Sequence, residues 1–150
     1  MKRWITTGEQ ILAADLDTTG FNQTFRVDAQ SSPNMTVRVR PGIGYIDDTK
    51  VEKTTDTNSA AIVAPITNPR IDLITIDVQG NVAIVTGTEM ISPIAPTYPS
   101  SKIVLAEVYL RIGATSIKNT DDTSNGYISK DTRPVVQKIS SDALFAFFMA

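Results

Sequence analysis

Alternation of apolar and polar residues, with a period of two, is the main pattern in the first third of the chain. The segments 25–30 and 35–40 each place an apolar residue at every second position. Such alternation is typical of strands that are buried on one face. The sequence SSPN between them contains Pro33 and Asn34, which favour a turn. We therefore predict two antiparallel strands joined by a short turn.

Two further hairpins are predicted downstream. In GYIDDTKVEK, a polar tip separates Ile46 from Val51. In RIDLITIDVQGNVAIVTG, two runs rich in β-branched residues flank Gly80-Asn81. This pair suits a type II′ turn because glycine readily adopts a positive φ. We interpret the sequence GIG at positions 42 to 44 as another turn.

Two segments have the pattern of strands inside a sheet. The run RIDLITIDV carries apolar side chains on both faces, and KIVLAEVYLRIG has an unbroken apolar face from Val104 to Ile112. Strands covered on both faces have this pattern. Between the two lies ISPIAPTYPSS, whose prolines cannot donate hydrogen bonds to a sheet. We expect it to be an extended connection that carries the chain from one sheet to another.

The two ends of the chain carry different patterns. Thr7 and Gln10 have the spacing of a capping box, which predicts a short helix ending near Gly20. The apolar run ALFAFFMA is far shorter than the ~20 residues needed to span a bilayer. We predict one all-β, mainly antiparallel β-sandwich, with an N-terminal arm and short helix over 1–24, a β core over 25–136 and an apolar C-terminal tail over 137–150. A second short helix in this tail is a further expectation.

The composition excludes several classes of chemistry. Histidine and cysteine are both absent from the 150 residues, so histidine-dependent triads and thiolate metal sites are excluded. No P-loop, dinucleotide fingerprint or GxSxG motif occurs. The net charge of −2 provides no overall attraction to nucleic acid or anionic lipid. We expect a noncatalytic protein with no cofactor or metal, which neither binds nucleic acid nor inserts into membranes.

The carboxylates that could suggest chemistry have a simpler interpretation. The sequence DDTSNG spaces Asp121, Thr123 and Asn125 like the start of an EF-hand loop, but the twelfth position is Thr132 where that loop requires glutamate. The neighbouring Asp47 and Asp48 could serve a glycosidase only if they faced each other across a bond. We interpret all of these residues as turn residues.

Three stretches carry a resemblance to a known group of proteins. They are NMTVRVRPGIGYIDDTKVEKTTDTNS, NPRIDLITIDVQGNVAIVTGTE and PTYPSSKIVLAEVYLRIGATSI, and the third is followed by DTRP. Together they cover roughly Asn34 to Val135. In this order they resemble tail and baseplate proteins of tailed bacteriophages, a group that includes N-terminal modules of receptor-binding and upper-baseplate proteins. The resemblance implies a β-sandwich that assembles as a trimer or on a ring of partners, and it implies no catalytic residue.

This resemblance predicts a structural function. We expect an assembly or adaptor protein of the phage tail or baseplate, made in the host cytoplasm and located in the virion. Its expected partners are further copies of itself, with a homotrimer favoured, and other tail proteins. The alternative is a receptor-binding module that binds carbohydrate on the host surface. A glycan site needs clustered aromatic residues, and the four tyrosines are scattered along the sequence, at positions 45, 98, 109 and 127.

Large apolar residues at the two ends are the candidates for an oligomer or partner interface. They are Trp4, Ile5, Leu144, Phe145, Phe147 and Phe148. Four large apolar groups in a short tail either complete the core of their own domain or cover a neighbouring subunit, since exposing them would leave an adhesive patch.

Charged residues provide two further hypotheses. We expect Arg70 to pair with Asp131, or Asp72 with Arg133, so that the C-terminal segment is tied to the sheet edge. The alternative is that these are four solvated loop charges. The arginines at positions 26, 38 and 40 should share the solvent face of two strands, as a weakly basic patch diluted by Asp28 or simply as a solvated surface.

Overall fold

The computed structural model describes residues 23–133, and its regular structure there consists of ten β-strands. They are β1 (Val27–Ala29), β2 (Val37–Val39), β3 (Gly42–Ile46), β4 (Thr49–Lys53), β5 (Thr57–Asn58), β6 (Arg70–Ile76), β7 (Val82–Val85), β8 (Ile103–Leu110), β9 (Ile117–Lys118) and β10 (Gly126–Asp131). The predicted all-β class is confirmed. The two predicted terminal helices lie outside the described residues.

Two sheets and a hairpin enclose the core. The larger sheet has the order β7-β6-β8-β10-β9, the smaller has the order β1-β2-β5, and β3 pairs with β4. Pairing is antiparallel except between β9 and β10. One cluster of buried apolar side chains joins all three units; it includes Phe25, Val27, Val37, Val39, Ile46, Val51, Ile74, Ile76, Leu105, Val108, Leu110 and Ile117. The strands therefore pack as a sandwich around a shared apolar interior.

Strands β6 and β8 lie inside the large sheet, as their sequences predict. In β6, Leu73, Ile74 and Ile76 are fully buried, and in β8 the same holds for Val108 and Leu110. Complete burial of an aliphatic side chain of this size stabilises a fold by about 1.5–3 kcal/mol. These two central strands therefore supply a large share of the stabilising apolar burial.

The β3–β4 hairpin confirms one prediction and corrects another. Asp47 and Asp48 form a two-residue turn with φ values of 46° and 62°, as a type I′ turn requires. The sequence GIG lies within β3 and is not a turn. Glycine is needed there because the strand passes close to the start of the described chain: a Cβ at Gly42 would lie 2.7 Å from Cγ2 of Thr24, and one at Gly44 would lie 2.9 Å from the ring of Phe25.

The β6–β7 hairpin is confirmed, but its turn differs from the predicted type II′ turn. The N–H of Gly80 donates to the carbonyl of Asp77 at 3.0 Å, and Gly80 has a φ of 81°. This is a three-residue loop with glycine at the left-handed position. The carboxylate of Asp77 selects this geometry because its Oδ1 accepts the N–H groups of Gln79 and Asn81, at 3.0 and 2.9 Å.

The proline-containing connection joins β7 and β8, which belong to the same sheet. The prediction that it carries the chain from one sheet to another is therefore wrong. Because β7 and β8 lie on opposite sides of β6, the connection has to cross β6. It approaches closely, since a Cβ at Gly87 would lie 2.0 Å from the carbonyl oxygen of Ile71. Further along, the Tyr98 hydroxyl donates to Glu107, which alternates with core residues of β8. The connection therefore covers the face of the sheet opposite the core.

A buried ion pair at the start of β6 holds this connection. Asp72 has no exposed surface and accepts hydrogen bonds from Arg70, Nε to Oδ1 at 2.8 Å and Nη2 to Oδ2 at 3.1 Å. Oδ1 also accepts the N–H of Gly87 at 2.9 Å. The guanidinium of Arg70 in turn donates to the carbonyl of Val63. One pair thus joins β6, the loop before it and the chain that follows β7.

The ion pairs differ from those that the sequence predicted. Arg70 pairs with Asp72 and Arg133 with Asp131, so each arginine takes a carboxylate from its own segment. The register explains this, since Arg70 lies opposite Leu110 of β8 whereas Asp131 lies opposite Ala106, on the other side of β8. The predicted pairing between the two segments is therefore wrong. The alternative, that all four are solvated loop charges, is wrong for Arg70 and Asp72, because both are buried.

Replacement of Asp72 by asparagine should destabilise the fold by about 3–5 kcal/mol, because Arg70 would remain buried without its counter-charge. The matched change is Asp131→Asn, whose exposed carboxylate should contribute less than about 1 kcal/mol. Urea unfolding of both variants measures the difference in their free energies of unfolding. The slope of that free energy against urea concentration should be the same in both variants. Equal losses in the two variants would contradict the importance assigned to the buried pair.

Candidate functional site

An exposed apolar surface is formed by loops at the Leu110 end of β8. We call it the apolar loop surface, and it comprises Val63, Ile66, Met90, Ile91 and Ile112, with exposed fractions of 74%, 83%, 40%, 87% and 53%. Their segments adjoin, because the N–H of Met90 donates to the carbonyl of Pro69 and that of Gly113 to Pro65. Grouped apolar residues of this kind mark contact sites for other molecules.

The carboxylate of Glu89 organises the loop that carries Ile66. Its Oε1 accepts the N–H of Ile66 at 3.1 Å, and its Oε2 accepts those of Thr67 and Asn68 at 2.8 and 3.1 Å. These main-chain hydrogen bonds, led by that of Thr67, hold the pKa of Glu89 below its usual value. Arg70 lies 3.9 Å away and adds attraction. Ile66, one of the residues of the apolar loop surface, is therefore displayed on a loop with a fixed backbone.

Two tyrosines that are distant in sequence meet on the outer face of the large sheet. Tyr109 of β8 lies opposite Tyr127 of β10, and their ring centroids are 5.5 Å apart. The guanidinium carbon of Arg111 lies 5.3 Å from each centroid, close enough for cation–π attraction. The two tyrosines are far apart in the sequence, but strand pairing brings their rings together.

The loop before β10 uses its carboxylates internally. Asp122 accepts hydrogen bonds from the main-chain N–H of Asn125, from the side-chain amide of Asn125 and from the N–H of Ser124, and these bonds lower its pKa to about 2. Asp121 pairs with Arg111 at 2.9 Å and accepts the N–H of Thr123. Both carboxylates accept hydrogen bonds from main-chain N–H groups of their own loop, which agrees with the interpretation of DDTSNG as a turn. Within residues 23–133, no group of three or more acidic side chains is arranged to hold a metal ion.

The arginines of β1, β2 and their flanks meet around one aspartate. Asp28 is buried, and it accepts hydrogen bonds from Arg40 at 2.7 Å and from Arg26 at 3.0 Å. Burial acts to raise the pKa of Asp28, but the hydrogen bonds from the two arginines outweigh it and the pKa is lowered. Asp28 thus lies beneath the predicted basic patch, and it holds two of its three arginines.

The six residues predicted as an interface, Trp4, Ile5, Leu144, Phe145, Phe147 and Phe148, lie outside the described residues. The structure instead places large exposed apolar residues in loops that sequence reasoning had passed over. An available signal was that Ile66 and Ile91 lie in the proline-containing segments APITNP and ISPIAP, which connect the predicted strands.

Comparisons with known proteins identify no relative. No protein-family model matches the chain, no curated protein matches its sequence, and no solved structure matches its fold. In the part of the chain that the structure describes, no helix is long and apolar enough to cross a membrane.

The Ile66 loop should respond to pH through Glu89. Because the folded-state pKa of this carboxylate lies below its ordinary value of 4.5, its hydrogen bonds stabilise the loop above that pH and are lost as pH falls through the lowered pKa. The amide NMR signals of residues 66–68 should titrate together with a midpoint below 4.5. Glu89→Gln should abolish this titration; a midpoint at or above 4.5 would contradict the assigned hydrogen bonds.

Proposed function

We propose that this protein is a noncatalytic structural component of a phage tail or baseplate that acts as an assembly or adaptor module. The observation that carries the assembly role is the apolar loop surface. Ile66 and Ile91 are more than four-fifths exposed on loops whose backbones are fixed by Glu89 and by the Arg70–Asp72 pair. A water-exposed aliphatic group on a rigid loop is suited to burial against a partner, because little entropy is lost on docking.

The arrangement of the ends supports the same role. The guanidinium of Arg133 donates to the carbonyl of Thr24, and Thr132 bonds to Val104 and Leu105, so the described chain begins and ends near the start of β8. The apolar loop surface lies at the other end of β8. The two ends of the described chain and the apolar loop surface therefore lie at opposite ends of β8, an arrangement that suits an adaptor with two contact regions.

The virion location and the oligomeric state rest on the sequence resemblance. The tail and baseplate proteins that this sequence resembles assemble on rings, and a closed ring is built from repeated copies of one contact. We propose that the partners are further copies of this chain, with a trimer favoured, and other tail proteins.

Introducing a charge into the apolar loop surface should weaken assembly. Ile91→Asp and Ile66→Asp should each shift the monomer–oligomer equilibrium toward monomer by at least about tenfold, since an unpaired carboxylate would be buried in the contact. The matched control is Ile43→Asp, an exposed isoleucine on β3. Light scattering after size exclusion, over a range of concentrations, measures the change. If the Ile91, Ile66 and Ile43 variants all retain the parent mass, this surface is not the contact.

Shortening the chain to end at Lys138 tests the apolar tail in the same assay. If the tail covers a neighbour, the mass should fall while the urea unfolding of the remaining chain is unchanged. If it completes its own core, stability falls and the mass does not. A monomer for both the full and shortened chains would contradict the proposed self-assembly.

The alternative function is carbohydrate binding at the host surface, and the Tyr109–Tyr127 pair favours it. Adjacent aromatic rings with neighbouring polar groups can hold a sugar, as apolar walls with a few placed polar groups hold other small ligands. Arg111 already contacts both rings, which reduces the ring surface available. We therefore place this function second.

Binding of the isolated protein to an array of bacterial cell-wall glycans tests this alternative. If it binds sugar at the tyrosine pair, Tyr127→Ala should weaken binding by about tenfold because a stacking surface is lost. The control is Tyr45→Ala, an exposed tyrosine on β3. Absence of binding, or equal loss with both variants, would remove the alternative.

A further inference from the structure

A groove of about 450 Å³ opens beside β1 and β2, and its lining includes Arg26, Arg38, Arg40, Lys118 and the carboxylate of Asp28. We propose that this basic groove binds a phosphate group, either as free inorganic phosphate or as part of a polyol phosphate. This inference is independent of the assembly role, because the groove shares no residue with the apolar loop surface.

The charges of the lining do not cancel. Four cationic side chains face a single carboxylate, and Asp28 engages Arg26 and Arg40 at hydrogen-bonding distance. The nearest acid to Arg38 is Asp56, whose carboxylate lies 3.6 Å from Nη1. Crowding of like charges destabilises a fold unless an anion offsets it. The basic groove therefore carries positive charge that a bound anion would neutralise.

Two buried donors in the basic groove lack an aligned acceptor within the described part of the chain. They are the Nε atoms of Arg26 and Arg38. The first lies 2.9 Å from Oδ1 of Asp28 but makes no aligned hydrogen bond to it. Buried donors are almost always paired in folded proteins, so two in one groove call for an explanation. A bound ligand with several acceptor oxygens provides one.

The shape of the site is set before a ligand arrives. The amide oxygen of Asn119 accepts the N–H of Ala29 at 2.7 Å, which fixes the end of β9, where Lys118 lies, against β1. On the opposite side, the antiparallel register of β1 and β2 places Asp28 beside Arg38. Arginines held by a carboxylate present their donors in fixed directions, which suits the tetrahedral oxygens of phosphate.

The same lining selects among phosphate-bearing ligands. It contains no aromatic side chain among the residues described, and single-stranded nucleic acid is bound largely by stacking of bases on aromatic rings. A phosphate without a base to stack, such as inorganic phosphate or a polyol phosphate, fits this chemistry better.

Titration of the full chain with inorganic phosphate, followed by amide NMR at constant ionic strength with chloride as reference, tests the proposal. Saturable shifts should centre on residues 26–31, 36–40 and 118–120. Lys118→Gln and Arg38→Gln should each weaken binding by about tenfold, since each removes a charge-assisted hydrogen bond. The matched control is Lys50→Gln, which removes an exposed charge on β4 and should leave binding unchanged.

Two outcomes would overturn the proposal. One is a shift that rises linearly with phosphate and never saturates; the other is equal weakening by the Lys50 variant, which would indicate attraction to surface charge in general. A parallel titration with poly(glycerol phosphate) distinguishes the sources. Tighter binding per phosphate identifies the polymer as the ligand, and equal binding identifies the free anion. Lys118→Gln keeps the test valid even if Arg38→Gln fails to fold, because Lys118 makes no ion pair within residues 23–133.

Discussion

The buried carboxylate of Asp72 is the constraint that holds together β6, the loop before it and the chain that follows β7. It receives two hydrogen bonds from Arg70 and one from the main chain at Gly87, while Arg70 also reaches the carbonyl of Val63. A buried charge is tolerated only when it is fully paired, so these three segments have to keep their positions together. The loops that expose Ile66 and Ile91 are thereby fixed to β6, a central strand of the large sheet.

Strand identity was readable from the sequence because it depends on local periodicity. The runs that became β6 and β8 carry enough apolar residues to be recognised as interior strands, and the three hairpins were recognised from their turn residues. The type of turn was harder to predict. At the β6–β7 turn the Asp77 side chain accepts two main-chain N–H groups, and this interaction displaced the two-residue geometry that Gly80-Asn81 suggested.

Contacts between segments could not be predicted from the alternation of apolar and polar residues along the sequence. Whether Arg70 meets Asp72 or Asp131 depends on which strands flank β8 and in what register, and neither is encoded in spacing. The same applies to Tyr109 and Tyr127, which are eighteen positions apart by their numbering and lie directly opposite each other in the sheet. The apolar loop surface was missed for a related reason, since exposure of an isoleucine in a loop is decided by what packs over it.

The contact between Arg133 and the carbonyl of Thr24 brings the first and last described residues to one place. A load applied through both flanking segments would reach this hydrogen bond before it reached the central strands, because both segments leave the described residues at neighbouring points. The loops at the far end of β8 lie away from this point of entry, so their sequences could change without altering how the load enters the sandwich.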